Sequence, residues 1–344
     1  MSRVLAALTG RSIEFGYVLT GQHQDYDMSL RFIEELKLPA PIAKFALTSS
    51  KPASQIGEMM GKLEPIIDNS GILLIQGDTN SMLAAALTGV KLGIPLAHVE
   101  AGLRSFDWRM PEEHNRRMVD HVSDLLFAPT EKSKSNLLNE SVYGTVFVTG
   151  NTVIDAVEHY LPLALKRSDI MNEVKFSAYC FTTFHRKETV DSPVILREIV
   201  ETLVEMSFPV VFPVHPRTNL RLHESDLYER LATSPHVCLL PPIGYLDTLV
   251  LMKRCDFVLT DSGGLQEEAT VPTIRKPVAL LRTSTERPEA VDAGFTKIVG
   301  VRKRDILESI ASLLDNPPSL PTSSPFGDGK AAARIVDIVL KYLG

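Results

Sequence analysis

The sequence contains few cysteines and lacks any long uninterrupted apolar run. Its 344 residues include three cysteines, Cys180, Cys238 and Cys255, which are widely spaced and form no C-x-x-C pair. This number and spacing fit neither a disulfide framework nor a zinc site, so we expect free thiols that are buried. No apolar run approaches the roughly 20 residues of a membrane span, and the N-terminus lacks the layout of a signal peptide. We therefore expect a cytoplasmic protein with no membrane partner.

An excess of positive charge and several catalytic signatures are also missing. Lys plus Arg number 36 against 42 for Asp plus Glu, a net charge of −6, so nucleic acid is not an expected partner. No G-x-G-x-x-G motif follows a strand, and there is no Walker loop, H-E-x-x-H or G-x-S-x-G motif. Nicotinamide redox chemistry, ATP-driven transfer, zinc hydrolysis and α/β-hydrolase chemistry therefore have no support. We expect no cofactor and no metal.

Short runs of Val, Ile and Leu alternate with longer segments of helical period, a pattern typical of strands in a parallel sheet. A length of 344 residues corresponds to about two domains. We predict two doubly wound α/β domains that face each other across a cleft. The predicted domains are 1–160, completed by a final helix over 330–344, and 161–329. Residues 151–175 are interpreted as a linker that begins as a helix.

The predicted strands and helices place the chemistry-bearing residues. The strands are predicted at Glu14–Thr20, Ile72–Gln76, Pro95–Val99, Leu125–Pro129, Val146–Thr149, Ala178–Thr183, Pro209–Val214, Val237–Leu240, Phe257–Thr260, Pro277–Leu281 and Lys297–Val299. The helices of the first half are predicted at Ser29–Lys37, Ser54–Ile67, Ser81–Leu92, Pro111–Val122 and Lys132–Asn139. Ala331–Leu343 also has apolar residues at helical spacing.

Polar residues directly follow five of the predicted strands. They are Asp78, Glu100, His185, His215 and the segment Asp261–Gly264. In an open parallel sheet the ligand lies at the carboxyl ends of the strands, so these residues are expected to form binding and catalytic sites. Their combination of carboxylates and histidines indicates proton transfer on a phosphorylated or nucleotide-linked substrate.

The segment Ser262-Gly263-Gly264 is the clearest candidate for phosphate binding. A strand, this turn and a following helix would direct free N–H groups and the positive end of the helix at one point. Glu267 or Glu268, on the first turns of that helix, could accept hydrogen bonds from two sugar hydroxyls. The alternative is an ordinary N-cap followed by acidic first-turn residues.

Structural alternatives also stay open for other candidates. Asp78 could cap the helix that begins near Asn80. Glu112 follows a proline at a helix start, where acids favour the helix dipole. His185 and His215 could be structural histidines. Glu100 is harder to explain in this way, because a carboxylate directly after a buried strand is neither a helix cap nor a typical turn residue.

These residues lie in motifs that run in order through the chain and resemble one enzyme family. The motifs are Gln76–Thr79, His98–Arg104, Pro111–Glu113 with Asn115 and Arg116, Gly150–Thr152, Phe184–Arg186, Pro213–Pro216, Leu259–Gly264 with Gln266–Glu268, Thr285–Glu289 and Pro325–Lys330. Together they resemble the non-hydrolysing UDP-N-acetylglucosamine 2-epimerases, and most of all the archaeal branch. The resemblance extends from about Met1 to the C-terminal helix.

The resemblance implies a fold and a reaction. Members of the family have the GT-B fold, in which the final helix crosses back to the first domain. They interconvert UDP-GlcNAc and UDP-ManNAc without an added redox cofactor, through elimination of UDP to 2-acetamidoglucal and re-addition. The expected partner is a UDP-sugar substrate, and the expected assembly is a homodimer.

The resemblance also implies roles for individual residues. The catalytic positions are matched by Asp78, Glu100, Glu112 and His185. The substrate-binding positions are matched by Ser262, Gly263 and Gly264 for the diphosphate, Glu268 for the ribose, and Arg287 and His215 for further contacts. Gln22 and His23 match part of a second UDP-GlcNAc site, but Asp25 stands where bacterial members have Gln or Glu.

One family feature is absent from the sequence. Family members open with a strand and a Gly-Thr-Arg-Pro-Glu loop, whereas Met1 matches a position inside the following helix. We expect codons for that strand and loop upstream of Met1, and a 344-residue chain that is a poor enzyme. Three alternative functions remain at this point: a hydrolysing epimerase that releases ManNAc and UDP, an epimerase of a modified UDP-2-acetamido sugar, and an inactive UDP-sugar-binding protein.

Overall fold

Every strand pair that the computed structural model describes is parallel. The structure describes residues 1–22 and 33–344. Within them the chain forms two units, unit 1 (Met1–Ala156 with Phe326–Gly344) and unit 2 (Val157–Pro325). The predicted fold class, α/β with two parallel-sheet domains, is confirmed. Part of the helix predicted at 29–37 lies outside the described residues.

Unit 1 contains a two-stranded and a four-stranded sheet. Its strands are β1 (Val18–Leu19), β2 (Ala43–Lys44), β3 (Leu73–Gln76), β4 (Leu96–Val99), β5 (Leu125–Ala128) and β6 (Thr145–Val148). Strand β1 pairs with β2, and the larger sheet has the order β3-β4-β5-β6. Neighbouring strands of this sheet are consecutive in sequence and parallel, so a crossover connection must join each pair. Helices form these connections.

Helices cover both faces of the larger sheet of unit 1. They are α1 (Ser2–Gly10), α2 (Pro52–Ile67), α3 (Asn80–Leu92), α4 (Pro111–Val122), α5 (Glu131–Asn139), α6 (Thr152–Arg167), which continues into unit 2, and α15 (Ala331–Leu343). Successive residues of β4 face opposite sides. Leu96 joins the core formed with α2, α3 and α4, whereas Ala97 joins the core formed with α1 and α15. The final helix therefore packs onto unit 1.

Unit 2 is built on one six-stranded sheet. Its strands are β7 (Cys180–Thr183), β8 (Val210–Pro213), β9 (Val237–Leu240), β10 (Phe257–Thr260), β11 (Val278–Leu280) and β12 (Thr296–Ile298). Its further helices are α7 (Lys187–Val190), α8 (Pro193–Glu205), α9 (Pro216–Glu224), α10 (Tyr228–Ala232), α11 (Tyr245–Arg254), α12 (Gly263–Glu268), α13 (Pro288–Asp292) and α14 (Lys303–Asp315), with a 3₁₀ turn at Ile170–Asn172.

The strand order of unit 2 identifies where a ligand is expected to bind. The order is β9-β8-β7-β10-β11-β12, the 3-2-1-4-5-6 order of a Rossmann fold. The direction of winding reverses between β7 and β10, whose last residues Thr183 and Thr260 are register partners. Ligands of open α/β sheets bind at such a switch point, beyond the carboxyl ends of the strands. Residues 184–186 and 261–264 occupy that position.

Some local predictions are wrong. The interpretation of 151–175 as a linker fails over Thr152–Arg167, a 16-residue helix that contains Pro162. Ile154, Val157, Leu161 and Ala164 are buried on it at helical spacing, and this periodicity outweighs the proline. The strand predicted at 14–20 is reduced to Val18–Leu19, and β2 was not predicted.

The three cysteines are buried to different degrees. Cys180 and Cys255 are free and buried as predicted, but Cys238 is only half-buried. Among the described residues, no helix combines the length and the apolar character that crossing a membrane requires.

Candidate active site

The turn after β3 places Asp78 against an arginine from helix α4. Nη1 of Arg116 lies 2.5 Å from Oδ2 of Asp78, and the Arg116 side chain is almost fully buried. The Asn115 amide donates to the backbone carbonyl of Asp78 at 2.8 Å. Thr79, rather than Asp78, is the N-cap of α3, and it makes no side-chain capping bond. The capping alternative for Asp78 is therefore wrong, and its carboxylate is held by an ion pair.

Glu100, directly after β4, has a strained backbone. Its φ of +74° lies in the left-handed region, which residues other than glycine rarely adopt. The neighbouring Ala101 N–H donates to the Phe127 carbonyl at 3.1 Å, which fixes the chain in this conformation. Nε2 of Gln76, the last residue of β3, donates to Oε2 of Glu100 at 3.1 Å. Strain of this kind concentrates at functional sites, where the surrounding structure compensates for its cost.

Two adjacent glutamates at the start of helix α4 have different environments. Glu112 is half-buried and makes no hydrogen bond or ion pair within the described ranges. Glu113 is buried and accepts hydrogen bonds from Ser105 and Arg116. Burial would raise the pKa of Glu113, but the Ser105 and Arg116 contacts outweigh it and hold the pKa below its ordinary value. Glu113 is thus a structural carboxylate, whereas Glu112 has no partner in the described part of the chain.

A chain of ion pairs continues from Glu113 through half-buried side chains to buried ones. It runs through Arg117, Glu140, Arg104, Asp120 and His98. Burial would raise the pKa of Asp120, but His98 and Arg104 outweigh it and lower the pKa. These pairs were not predicted, although Asp120 in the interior of an otherwise well-formed helix was a visible signal.

In unit 2, Asp261 organises the segment that follows β7. Its fully buried carboxylate accepts the backbone N–H groups of His185, at 3.2 and 3.1 Å, and of Arg186, at 2.9 Å. Nδ1 of His185 lies 3.8 Å from Oδ1 of Asp261. The rings of His185 and His215 stack with centroids 5.0 Å apart. The structure therefore brings together the two predicted histidines at the carboxyl ends of β7 and β8.

The predicted phosphate turn forms the start of helix α12. Ser262 is the N-cap without a side-chain capping bond, and its hydroxyl makes no hydrogen bond within the described part of the chain. A Cβ on Gly263 would lie 2.6 Å from Oε1 of Glu286 and 2.8 Å from Nη1 of Arg287. A Cβ on Gly264 would meet nothing within 4 Å. Gly263 thus permits close packing inside the protein, while Gly264 faces open space.

The acidic residues at the end of helix α12 are both buried. Nε of Arg287 lies 3.4 Å from Oε2 of Glu267. Glu268 is hydrogen bonded to Tyr245, but burial is the larger effect and raises its pKa to about 7. Because a protonated carboxyl and a carboxylate differ as hydrogen-bond acceptors, the affinity of this position for hydroxyl groups should depend on pH.

A second arginine cluster surrounds Glu286. Arg186, Arg282 and Arg287 each place a guanidinium nitrogen within 2.5 to 3.1 Å of its carboxylate. Burial lowers the pKa of Arg282, against the opposing effect of Glu286. Of these residues, only Arg287 was a predicted site residue. Arg186 and Glu286 lie inside quoted motifs, but their pairing joins residues 100 positions apart, which local pattern does not reveal.

The residues of the expected second site are only partly described. Oε1 of Gln22 accepts the backbone N–H and the hydroxyl of Ser81, both at 2.8 Å, so it caps helix α3. His23 lies outside the described residues. Within the described ranges, no group of three or more His, Cys, Asp and Glu side chains is arranged to hold a metal ion.

Comparison with known proteins identifies the family. The family model for UDP-N-acetylglucosamine 2-epimerase matches residues 6–340. The UDP-N-acetylglucosamine 2-epimerase of Methanocaldococcus jannaschii is 39% identical and aligns over 98% of this chain and 94% of its own length. A Pseudomonas aeruginosa UDP-2,3-diacetamido-2,3-dideoxy-D-glucuronate 2-epimerase is 37% identical over 94% of this chain and 90% of its own.

Solved structures give the same result. The crystal structure of the M. jannaschii enzyme in complex with UDP-GlcNAc and UDP has a TM-score of 0.92 at 39% identity, covering 99% of this chain and 95% of that chain. The Neisseria meningitidis UDP-GlcNAc 2-epimerase bound to UDP-GlcNAc has a TM-score of 0.88 at 34% identity, with coverage of 99% and 96%. This likeness confirms the expected GT-B type of fold. The chain belongs to the UDP-N-acetylglucosamine 2-epimerase family.

Proposed function

We propose that this chain interconverts UDP-GlcNAc and UDP-ManNAc by inverting the configuration at carbon 2. One observation of the structure carries the proposal. Asp78 and Glu100 follow two strands that are paired in register through Gln76 and Val99, so both carboxylates emerge at the same edge of the sheet. Because the chain belongs to the epimerase family, we assign these two carboxylates to the epimerisation reaction.

The reaction proceeds through elimination and re-addition. The hydrogen on carbon 2 is not acidic in the ground state. As the bond between carbon 1 and the UDP oxygen breaks, positive charge on carbon 1 acidifies the neighbouring position, and a carboxylate removes the proton. The products are UDP and 2-acetamidoglucal. Protonation of carbon 2 from the opposite face and return of the UDP oxygen to carbon 1 complete the inversion.

The environments of the acidic residues suit different roles. Glu112 has no partner within the described residues, and Asp78 is oriented by Arg116. These two carboxylates transfer the proton on carbon 2. Glu100 and His185 act on the leaving group and the cationic centre, and His185 is partly exposed next to the Asp261 carboxylate.

Groups of unit 2 bind the UDP portion. The free hydroxyl of Ser262 and the N–H groups of Gly263 and Gly264 bind the diphosphate at the start of the helix. Glu268 accepts hydrogen bonds from the ribose hydroxyls, and Arg287 and His215 provide further contacts. The open space beside Gly264 supports this assignment, because a phosphate must approach the backbone closely.

A modified substrate is the second candidate. It is favoured by the 37% identity to the Pseudomonas aeruginosa enzyme that is named for UDP-2,3-diacetamido-2,3-dideoxy-D-glucuronate. The identity to the M. jannaschii UDP-N-acetylglucosamine 2-epimerase is 39%, so overall similarity separates the two substrates only weakly. We further propose that the protein acts in the cytoplasm as a homodimer.

Incubation with UDP-GlcNAc in heavy water, followed by NMR, tests these assignments. Deuterium at carbon 2 with intact UDP-ManNAc supports the epimerase. Free ManNAc and UDP would indicate a hydrolysing enzyme, and binding without exchange would indicate an inactive binding protein. A parallel assay with the 2,3-diacetamido uronate decides between substrates: a higher kcat/KM for that sugar would replace UDP-GlcNAc as the substrate.

A further inference from the structure

The buried side chain of His98 connects three elements of unit 1. Its Nδ1 lies 2.7 Å from Oδ1 of Asp120, and its Nε2 lies 3.0 Å from the backbone carbonyl oxygen of Gly77. His98 and Asp120 are fully buried. None of the roles proposed above uses this imidazole.

Each of the three connected elements carries one of the proposed catalytic carboxylates. Gly77 precedes Asp78 in the turn after β3. His98 itself lies on β4, two residues before Glu100. Asp120 lies on helix α4, whose first turn carries Glu112. One ring thus spans the elements that position all three acids.

The hydrogen-bond partners of His98 fix the orientation of its ring. The Gly77 carbonyl can only accept, so Nε2 donates to it. Nδ1 pairs with Asp120, whose pKa is lowered by His98 and Arg104 against the opposing effect of burial. Asp120 also accepts from Arg104 at 2.7 Å and from the Gly102 N–H at 3.1 Å, so its position is fixed.

We propose that His98 is a positioning residue for the epimerisation, which fixes the turn of Asp78 relative to Glu100 and Glu112. Gly77 has a φ of +86°, and its N–H donates to the Val99 carbonyl at 3.2 Å. The carbonyl group of Gly77 is held by the His98 imidazole. Small displacements of a catalytic group lower the rate strongly without abolishing binding. This inference rests on the proposed function.

Two substitutions separate the two bonds of the ring. In His98→Asn the amide nitrogen replaces Nδ1, so the bond to Asp120 is kept and the bond to Gly77 is lost. In His98→Gln the amide nitrogen replaces Nε2, so the bond to Gly77 is kept and the bond to Asp120 is lost. We expect each variant to lower kcat by roughly tenfold or more. UDP affinity should stay within about threefold of wild type, because the proposed UDP contacts belong to unit 2.

His236 of unit 2 provides a matched control. Its Nε2 contacts the Leu203 carbonyl at 3.0 Å, and its Nδ1 contacts the Ser234 hydroxyl at 3.3 Å. His236→Asn should leave kcat within about twofold of wild type. In spectra of protein labelled with nitrogen-15 histidine, Nε2 of His98 should carry a hydrogen that is bonded to the Gly77 carbonyl.

The outcomes separate the positioning role from the proposed function. A folded His98→Asn or His98→Gln variant with the kcat of wild type would overturn the positioning role, as would a His98 ring whose Nε2 carries no hydrogen in the spectra. A wild-type protein without epimerisation would overturn the proposed function instead. The spectra would still test the bond from Nε2 to Gly77 in that case, and also if either variant failed to fold.

Discussion

In unit 2 the Tyr245 hydroxyl is hydrogen bonded to the buried carboxyl group of Glu268. Burial raises the pKa of Glu268 to about 7, and the bond from Tyr245 opposes this shift only in part. Burial likewise raises the pKa of Tyr245 well above its ordinary value, so the tyrosine stays neutral and acts as the donor. The carboxyl proposed to bind the ribose therefore changes charge near physiological pH.

UDP affinity should increase with pH because the ionised carboxylate is the better acceptor for two ribose hydroxyls. With a pKa of about 7, Glu268 is mostly protonated at pH 6 and mostly ionised at pH 8. Titration calorimetry should show about tenfold tighter UDP binding at pH 8 than at pH 6. UDP also titrates, so Glu268→Gln serves as the control. An equal change in affinity in the variant and in wild type would contradict the role of Glu268.

Glu268 should also make the unfolding free energy decrease as pH rises, whereas UDP affinity increases. Its folded pKa of about 7 exceeds the ordinary value of 4.5, so the folded state retains a proton that the unfolded state releases. The resulting stabilisation is fully present below about pH 4.5 and is lost as pH rises through about 7. It corresponds to about 3 kcal/mol of unfolding free energy. Denaturant unfolding at pH 5 and pH 8 should show a smaller difference in Glu268→Gln than in wild type.

Gly263 and Gly264 offer a matched pair of substitutions at the proposed diphosphate site. Gly263→Ala should reduce the unfolding free energy by about 1–3 kcal/mol, because its Cβ would displace the buried Glu286 and Arg287 side chains. Gly264→Ala has open space and a helical position, so its stability should equal or slightly exceed that of wild type. UDP affinity should nevertheless fall, as calorimetry can measure. Unchanged UDP affinity in Gly264→Ala would indicate that the diphosphate binds elsewhere.

The acid–base groups and the binding groups should respond differently to substitution. Asp78→Asn, Glu112→Gln and His185→Asn should each reduce turnover by roughly a hundredfold or more, while UDP affinity changes only a few-fold. Ser262→Ala should instead weaken UDP binding, because it removes a hydroxyl that has no bond within the described residues. Steady-state kinetics with UDP competition measures both quantities.

A surface variant provides the control for these substitutions. Asp337→Asn removes an exposed ion pair with Arg11 and should leave both turnover and UDP affinity unchanged. Near-normal turnover in all three acid–base variants would contradict the catalytic assignment. Normal UDP binding by Ser262→Ala would contradict the phosphate site.

Much of the fold could be predicted because local pattern and burial agree. Helix α4 was predicted with its observed bounds, Pro111–Val122, since proline at the first helical position marks its start. Four-residue runs such as Phe257–Thr260 are buried throughout and read clearly as strands of a covered parallel sheet. Helix α6 was largely missed, because Pro162 and the charged residues obscured its apolar face.

The candidate site was predicted residue by residue but not as a network. The position of Asp78 after a strand was predictable, but a cap and a catalytic group stayed equally compatible with the sequence. The ion pair that holds its carboxylate comes from Arg116, 38 positions away. The distinct states of Glu112 and Glu113 likewise depend on the loop residue Ser105, which bonds Glu113 rather than Glu112, in addition to the local pair of Glu113 with Arg116. Local periodicity carries no information on which distant side chain neutralises a carboxylate.

The strained backbone of Glu100 leads to a comparison of two variants. Glu100→Gln preserves side-chain size and the left-handed φ of +74°, whereas Glu100→Gly removes the side chain and relieves the strain. Both variants should lose roughly a hundredfold in turnover if the carboxylate acts on the leaving group. Glu100→Gly should be as stable as Glu100→Gln or more stable by up to about 1 kcal/mol, although it loses the bond to Gln76. Denaturant unfolding measures this difference. A glycine variant clearly less stable than the glutamine variant would show that the backbone is not strained, and full activity of Glu100→Gln would show that the negative charge is dispensable.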